Sequence, residues 1–143
     1  GHQEWILNDI AACGGDPDAV RQARPDRAAE LLVAYAYHTI DRGNPVGFLG
    51  MVLVLEGTSV RVASEAAENS RRNLGLPPQA FSYLTSHGSL DLSHMDFYRS
   101  LVNRLDNPVD QEAVIHCAKR FFKLYGDVFR ELPLSLNSAA DAA

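Results

Sequence analysis

Residues 83–94 read YLTSHGSLDLSH, and the spacing of His87, Asp91 and His94 within them makes this the most informative stretch of the chain. At about 100° per residue, a helix puts Asp91 about 40° and His94 about −20° from His87, so the three share one face. Two imidazoles and a carboxylate supply the nitrogen and oxygen donors that suit Fe(II), Mn(II) or Zn(II). A solvated polar stripe, or a hydrogen-bonded pair of histidines, has the same spacing, so the cluster needs support from elsewhere. A Ser-His-Asp nucleophile would need a strained turn that nothing here encodes.

Support comes from Glu56. It ends the run Phe48 to Leu55, which is apolar apart from Gly50, and Gly57-Thr58-Ser59-Val60 follows it. Its carboxylate is expected to be withdrawn from water, where an isolated charge is costly or becomes protonated. Such a group needs a cation: a metal, or an arginine such as Arg99 or Arg104. Helical bundles build two-metal sites with a Glu from one helix facing a His-bearing motif on another. His2 lies in a stripe with Trp5, Ile6 and Asp9. His38 and His116 are read as ordinary core or surface histidines. Tyr35, Tyr37, Phe121, Phe122, Tyr125 and Phe129 are read as core aromatics, and Cys117 as packing.

Outward from these residues, apolar side chains recur at three- and four-residue spacing, and no stretch alternates as a strand would. The fold class is therefore all-α. The pattern predicts five helices. The first runs from Gln3 to Ala12 and stops at Gly14-Gly15; a turn or short helix follows Asp16-Pro17. The second starts at Pro25-Asp26, carries Ala29, Leu32, Val33, Ala36, Tyr37 and Ile40 on one side, and ends at Arg42-Gly43-Asn44. The third runs from Pro45 to Asn73, apolar all round in its first half and hence buried there, with Gly47 and Gly50 admitting a close neighbour. The fourth spans Gln79 to Leu105 and the fifth Asp110 to Glu131. Short Gly/Pro loops between long helices predict an antiparallel bundle.

The 143 residues fit one domain, placed at residues 1–134, with residues 135–143 as a frayed tail. A formal charge of −5 speaks against a nucleic-acid surface. Cys13 and Cys117 form neither a disulfide framework nor a CxxC knuckle. No GxGxxG, P-loop or GxSxG is present. The apolar run Val46 to Leu55 is about half a membrane span, and no signal peptide is visible, so a soluble, cytoplasmic protein is expected. Trp5, Ile6, Leu7 and Ile10 open the chain inside an amphipathic stripe, which leads us to expect further chain upstream.

Four stretches resemble the haem-oxygenase-like iron-containing redox enzymes, relatives of thiaminase type II (TenA) and pyrroloquinoline-quinone synthase C (PqqC). They are residues 2–10 (HQEWILNDI), 50–59 (GMVLVLEGTS), 83–94 and 124–129 (LYGDVF). The resemblance extends over about Gly1 to Pro133. It implies a haem-oxygenase-like helical bundle, here without its N-terminal helix or helices, enclosing a di-iron site. The metal ligands it implies are His2, Glu56, His87, Asp91 and His94, with Glu56 and Asp91 also catalytic and the family's early carboxylates falling before Gly1. The cofactor would be two Fe(II), manganese being the other choice. The expected activity is O2-dependent oxidation or oxygenation of a small organic substrate in a cytoplasmic protein, with homodimerisation expected and no membrane or nucleic-acid partner. Two alternatives stay open: a metal-free TenA/PqqC-like enzyme binding a small heterocycle, and a non-catalytic helical interaction protein.

Overall fold

Three Asx–Pro pairs open elements of this chain. Asp16, Asn44 and Asn107 each precede a proline, and each accepts a backbone N–H with its side chain: Asp16 from Asp18 (2.9 Å), Asn44 from Val46 (3.0 Å), Asn107 from Val109 (2.9 Å). The side chain satisfies an orphan donor of the first turn while proline presets its φ. Asp26 does the same for Ala29 at 2.7 Å. The structure is a computed structural model that describes residues 1–132, excepting the side chains of residues 88–92.

The elements are α1 (His2–Ala12), α2 (Pro17–Gln22), α3 (Arg27–Asp41), a 3-10 turn (Pro45–Phe48), α4 (Leu49–Leu74), a second 3-10 turn (Pro78–Phe81), α5 (Ser82–Val102) and α6 (Pro108–Arg130). No strand occurs among the described residues. The short segment after Asp16-Pro17 is thus a helix, making six α-helices among the described residues where five and a turn or short helix were expected. The helix predicted from Gln79 begins as a 3-10 turn and becomes α-helical only at Ser82; it ends at Val102, short of Leu105. Gly75, at φ 65°, closes α4 in the left-handed conformation that glycine adopts without cost. The expected tail, residues 135–143, lies outside the described residues.

The centre of the bundle is α4, packed chiefly on α5 and α6; α3 lies on α6, and α1 on α5 and its 3-10 lead-in. Gly50 is what lets α4 and α6 meet. A Cβ there would stand 2.5 Å from the Ala118 nitrogen and 2.6 Å from the Val114 oxygen, so only glycine fits. Gly47 faces the Cys117 Sγ in the same way, at 2.7 Å. Around this approach Val54, Cys117 and Phe121 are buried, with Leu32, Tyr35, Ala36, Met51, Leu55 and Tyr125 packed on them. A second cluster, Ala67, Ala80 and Phe81, sits beneath Ala12, Leu76 and Leu84.

Three expectations about the core are corrected. The α3 stripe is rotated: Ala28 and Thr39 are buried and Leu32, Tyr35 and Ala36 pack inward, while Val33, Tyr37 and Ile40 are exposed. Of the six aromatics, Phe121 is fully buried and Tyr35 and Tyr125 flank it, but Tyr37, Phe122 and Phe129 face outward. Periodicity locates a stripe to within a residue or so, and a helix covered on one side only buries half of a wide one. Likewise the first half of α4 is not sealed all round, since Leu53 remains 39% exposed. The stretch Pro45–Leu74 is long and apolar enough, by length and composition alone, to cross a membrane. Here it packs against two other helices.

Candidate metal centre

The first turn of α5 lacks a side-chain cap of its own. Asp9, on α1, provides it from 73 residues away: Oδ1 accepts the Ser82 N–H (3.0 Å) and hydroxyl, and Oδ2 accepts the Tyr83 N–H (2.9 Å). A carboxylate at a helix N-terminus satisfies orphan donors and meets the positive end of the helix dipole. Asp9 is buried (9% exposed), and these three bonds offset the cost of burying its charge. The result fixes the face of α1 that carries His2 and Trp5 against the start of α5.

One turn further along α5, His87 lies half-buried beneath that face. Its ring centroid is 4.7 Å from that of His2, edge to face at 72°, and 4.1 Å from that of Tyr83. The Trp5 ring closes the group at 6.2 Å from His87. The His87 Nδ1 is 2.8 Å from the Tyr83 carbonyl oxygen. A carbonyl can only accept, so Nδ1 carries a proton, and in the neutral imidazole Nε2 presents its lone pair. Metal-binding histidines are commonly held this way, the far nitrogen tied to a carbonyl or carboxylate.

A second pair joins α4 to α5. His94 Nδ1 and Glu56 Oε2 are 3.8 Å apart, with side-chain exposures of 54% and 32%. Glu56 was expected to be shut away from water and is instead at the rim, where α5 covers it on one side only. Its partner is His94 rather than Arg99 or Arg104; Arg99 pairs with Asp96 at 3.0 Å. The Asp91 side chain, assigned by sequence both as ligand and as catalytic group, lies outside the described residues. Four of the five sequence-assigned residues are therefore seen as two pairs, His2 with His87 and Glu56 with His94. No group of three or more His, Cys, Asp or Glu poised to hold a metal occurs among the described residues.

The donors themselves, imidazole nitrogens and carboxylate oxygens, are of the kind that iron accepts in non-haem sites. The Nε2 lone pair of His87 is aimed by a bond that leaves it no other tautomer, so the residues present fit such a metal. Asp9 and Tyr83 were quoted in the sequence reading without a role. A cap reaching across 73 positions has no spacing signature, so only the fold reveals it.

The family model of the iron-containing redox enzymes matches residues 1–126. The chain belongs to that family. A crystal structure from Shewanella denitrificans OS217, described as a domain of unknown function with a haem oxygenase-like fold, superposes with a TM-score of 0.81 at 26% identity. The match covers 92% of this chain and 58% of that one, so this iron-containing redox enzyme family member spans little more than half of its neighbour's length. Comparison with curated proteins gives no match. Family and fold agree with the all-α, haem-oxygenase-like bundle expected from residues 50–59 and 83–94.

Proposed function

We propose that this chain carries a non-haem iron centre, built for two irons, in an oxidase or oxygenase that uses O2 to oxidise a small organic substrate. One observation carries the reading: in a family of iron-containing redox enzymes, His87 is locked in the tautomer that offers Nε2, beside a second imidazole from α1. His2, Glu56, His87, Asp91 and His94 would hold the metal, iron by preference and manganese as the other cation suited to these donors. When bound, iron supplies the electrons that O2 chemistry requires.

The chain's own residues do the rest. The Nδ1–H bond to Tyr83 fixes the His87 ring and raises its basicity as a ligand. Glu56, at the rim beside His94, is a carboxylate able to accept a proton at Oε2 and pass it to solvent. A largely apolar cleft of about 550 Å³, walled by Ile6, Ile10, Ala80, Tyr83 and Leu84, meets the centre at Tyr83, whose ring packs on His87, and would take the substrate. The formal charge of −5 supports a protein without a nucleic-acid partner. Exposed Leu31, Val33 and Tyr37 on α3 support association with a second copy.

Anaerobic loading with Fe(II), followed by metal counting by plasma mass spectrometry, tests the reading. In the natural full-length protein, which supplies the early carboxylates expected before Gly1, about two irons per chain are expected, with a sharp fall in His87→Ala and Asp91→Ala. Negligible metal in the unaltered protein overturns it and leaves Glu56 and His94 as the acid–base pair of a metal-free enzyme.

A further inference from the structure

The chain has only two lysines, Lys119 and Lys123, and both line one cleft of about 460 Å³. With His116 and Arg120 they occupy positions i, i+3, i+4 and i+7 of α6, so four basic side chains share one face of one helix. Tyr35 and Leu124 line the same cleft. Tyr35 is a fixed wall: its ring packs on Phe121 with centroids 4.9 Å apart, and its hydroxyl is directed at the Cys117 Sγ, 3.6 Å away.

The balance of charge in the cleft is positive although the chain as a whole is acidic. Lys119, Arg120 and His116 make no hydrogen bond or ion pair among the described residues. Asp127, the carboxylate that lines the cleft, is already held by Lys123 at 2.7 Å and by Arg130 at 2.8 Å. Those two cations hold its carboxyl below the usual range, Lys123 contributing most, so its charge is answered from within the protein. An entering anion would meet the unanswered cations of Lys119 and Arg120. The apolar wall beside them favours a ligand with an organic body.

We infer that this cleft between α3 and α6 is a second binding site, separate from the α1–α4–α5 residues described above, for a small organic anion bearing one phosphate or carboxylate group. From His116 to Lys123 the helix rises only about 10 Å, the reach of one anionic group rather than of a polyanion. Arg120 offers a planar fork suited to an oxyanion, and Lys119 adds a point charge beside it.

The test is a calorimetric titration with phenyl phosphate at low ionic strength, with inorganic phosphate and phenol as comparators. The unaltered chain should bind phenyl phosphate more tightly than either comparator. The double variant Lys119→Gln/Arg120→Gln should bind it about tenfold or more weakly, with an unchanged melting temperature because both side chains are exposed. Arg104→Gln, an exposed arginine outside the cleft, should leave the affinity as it was. Equal affinity in the unaltered chain and the double variant overturns the inference, as does an equal loss in Arg104→Gln or absence of binding at millimolar phenyl phosphate. Binding of inorganic phosphate as tight as that of phenyl phosphate overturns the organic part of it. Repeating the titration with benzoate shows whether the site takes carboxylates as well as phosphates.

Discussion

Asp9 does for α5 what a local Ser or Asp usually does for its own helix, and its loss is felt at two helices at once. Asp9→Ala strands two backbone donors in a part-buried place and should lower stability by about 1–3 kcal/mol, read from urea unfolding. Asp9→Asn keeps one acceptor oxygen but turns a donor towards a donor, so it should fall between the two. Gly50 is the other residue on which much hangs. Gly50→Ala forces α4 and α6 apart, because the Cβ would meet backbone rather than a movable side chain. A loss of about 1–3 kcal/mol is expected, with far-ultraviolet dichroism preserved. Gly47 and Gly50 were legible in the sequence as small residues in an apolar helix. Asp9 was not, since nothing local tells a capping carboxylate from a solvated one.

Among elements, α6 offers the sharpest contrast. Phe121 is fully buried and its neighbour Phe122 is 69% exposed, so one helical step separates core from surface. Phe121→Ala should cost about 3–5 kcal/mol, and Phe122→Ala should stay within about 0.5 kcal/mol; thermal unfolding of the two variants side by side decides it. Helix ends were readable because Asp16-Pro17, Asn44-Pro45 and Asn107-Pro108 state them chemically. Which side of α3 faces inward was not, because Leu31, Leu32, Val33, Tyr35, Ala36 and Tyr37 crowd its middle with apolar side chains on several sides. Only the position of α6 chooses Leu32, Tyr35 and Ala36 from among them.

For the molecule as a whole, pH acts through buried phenols. Burial pushes both Tyr98 and Tyr125 above the usual tyrosine range, with Tyr83 adding to the effect at Tyr125. The folded state therefore keeps these protons where the unfolded chain begins to lose them, near pH 10. Their contribution is whole below that pH and is lost as pH rises towards the folded-state values. Melting temperatures should accordingly be flat up to about pH 10 on this account and fall above it, and Tyr98→Phe should blunt the fall. The site as a whole was partly legible: helical spacing placed His87 and His94 on one helix, and the motif and Glu56 pointed to its family. The depth of Glu56 was not legible, because the cover that α5 gives it depends on where the two helices cross.

The cap from Asp9 also links metal loading to local unfolding. Among the described residues helix α1 packs chiefly on α5, its 3-10 lead-in and α2, and it holds His2 over His87 from there. A cation shared by those two imidazoles would be released whenever α1 peels away, so its affinity would include the free energy of docking that helix. Slowed amide exchange along residues 2–12 would then report occupancy of the centre, without any assay of turnover.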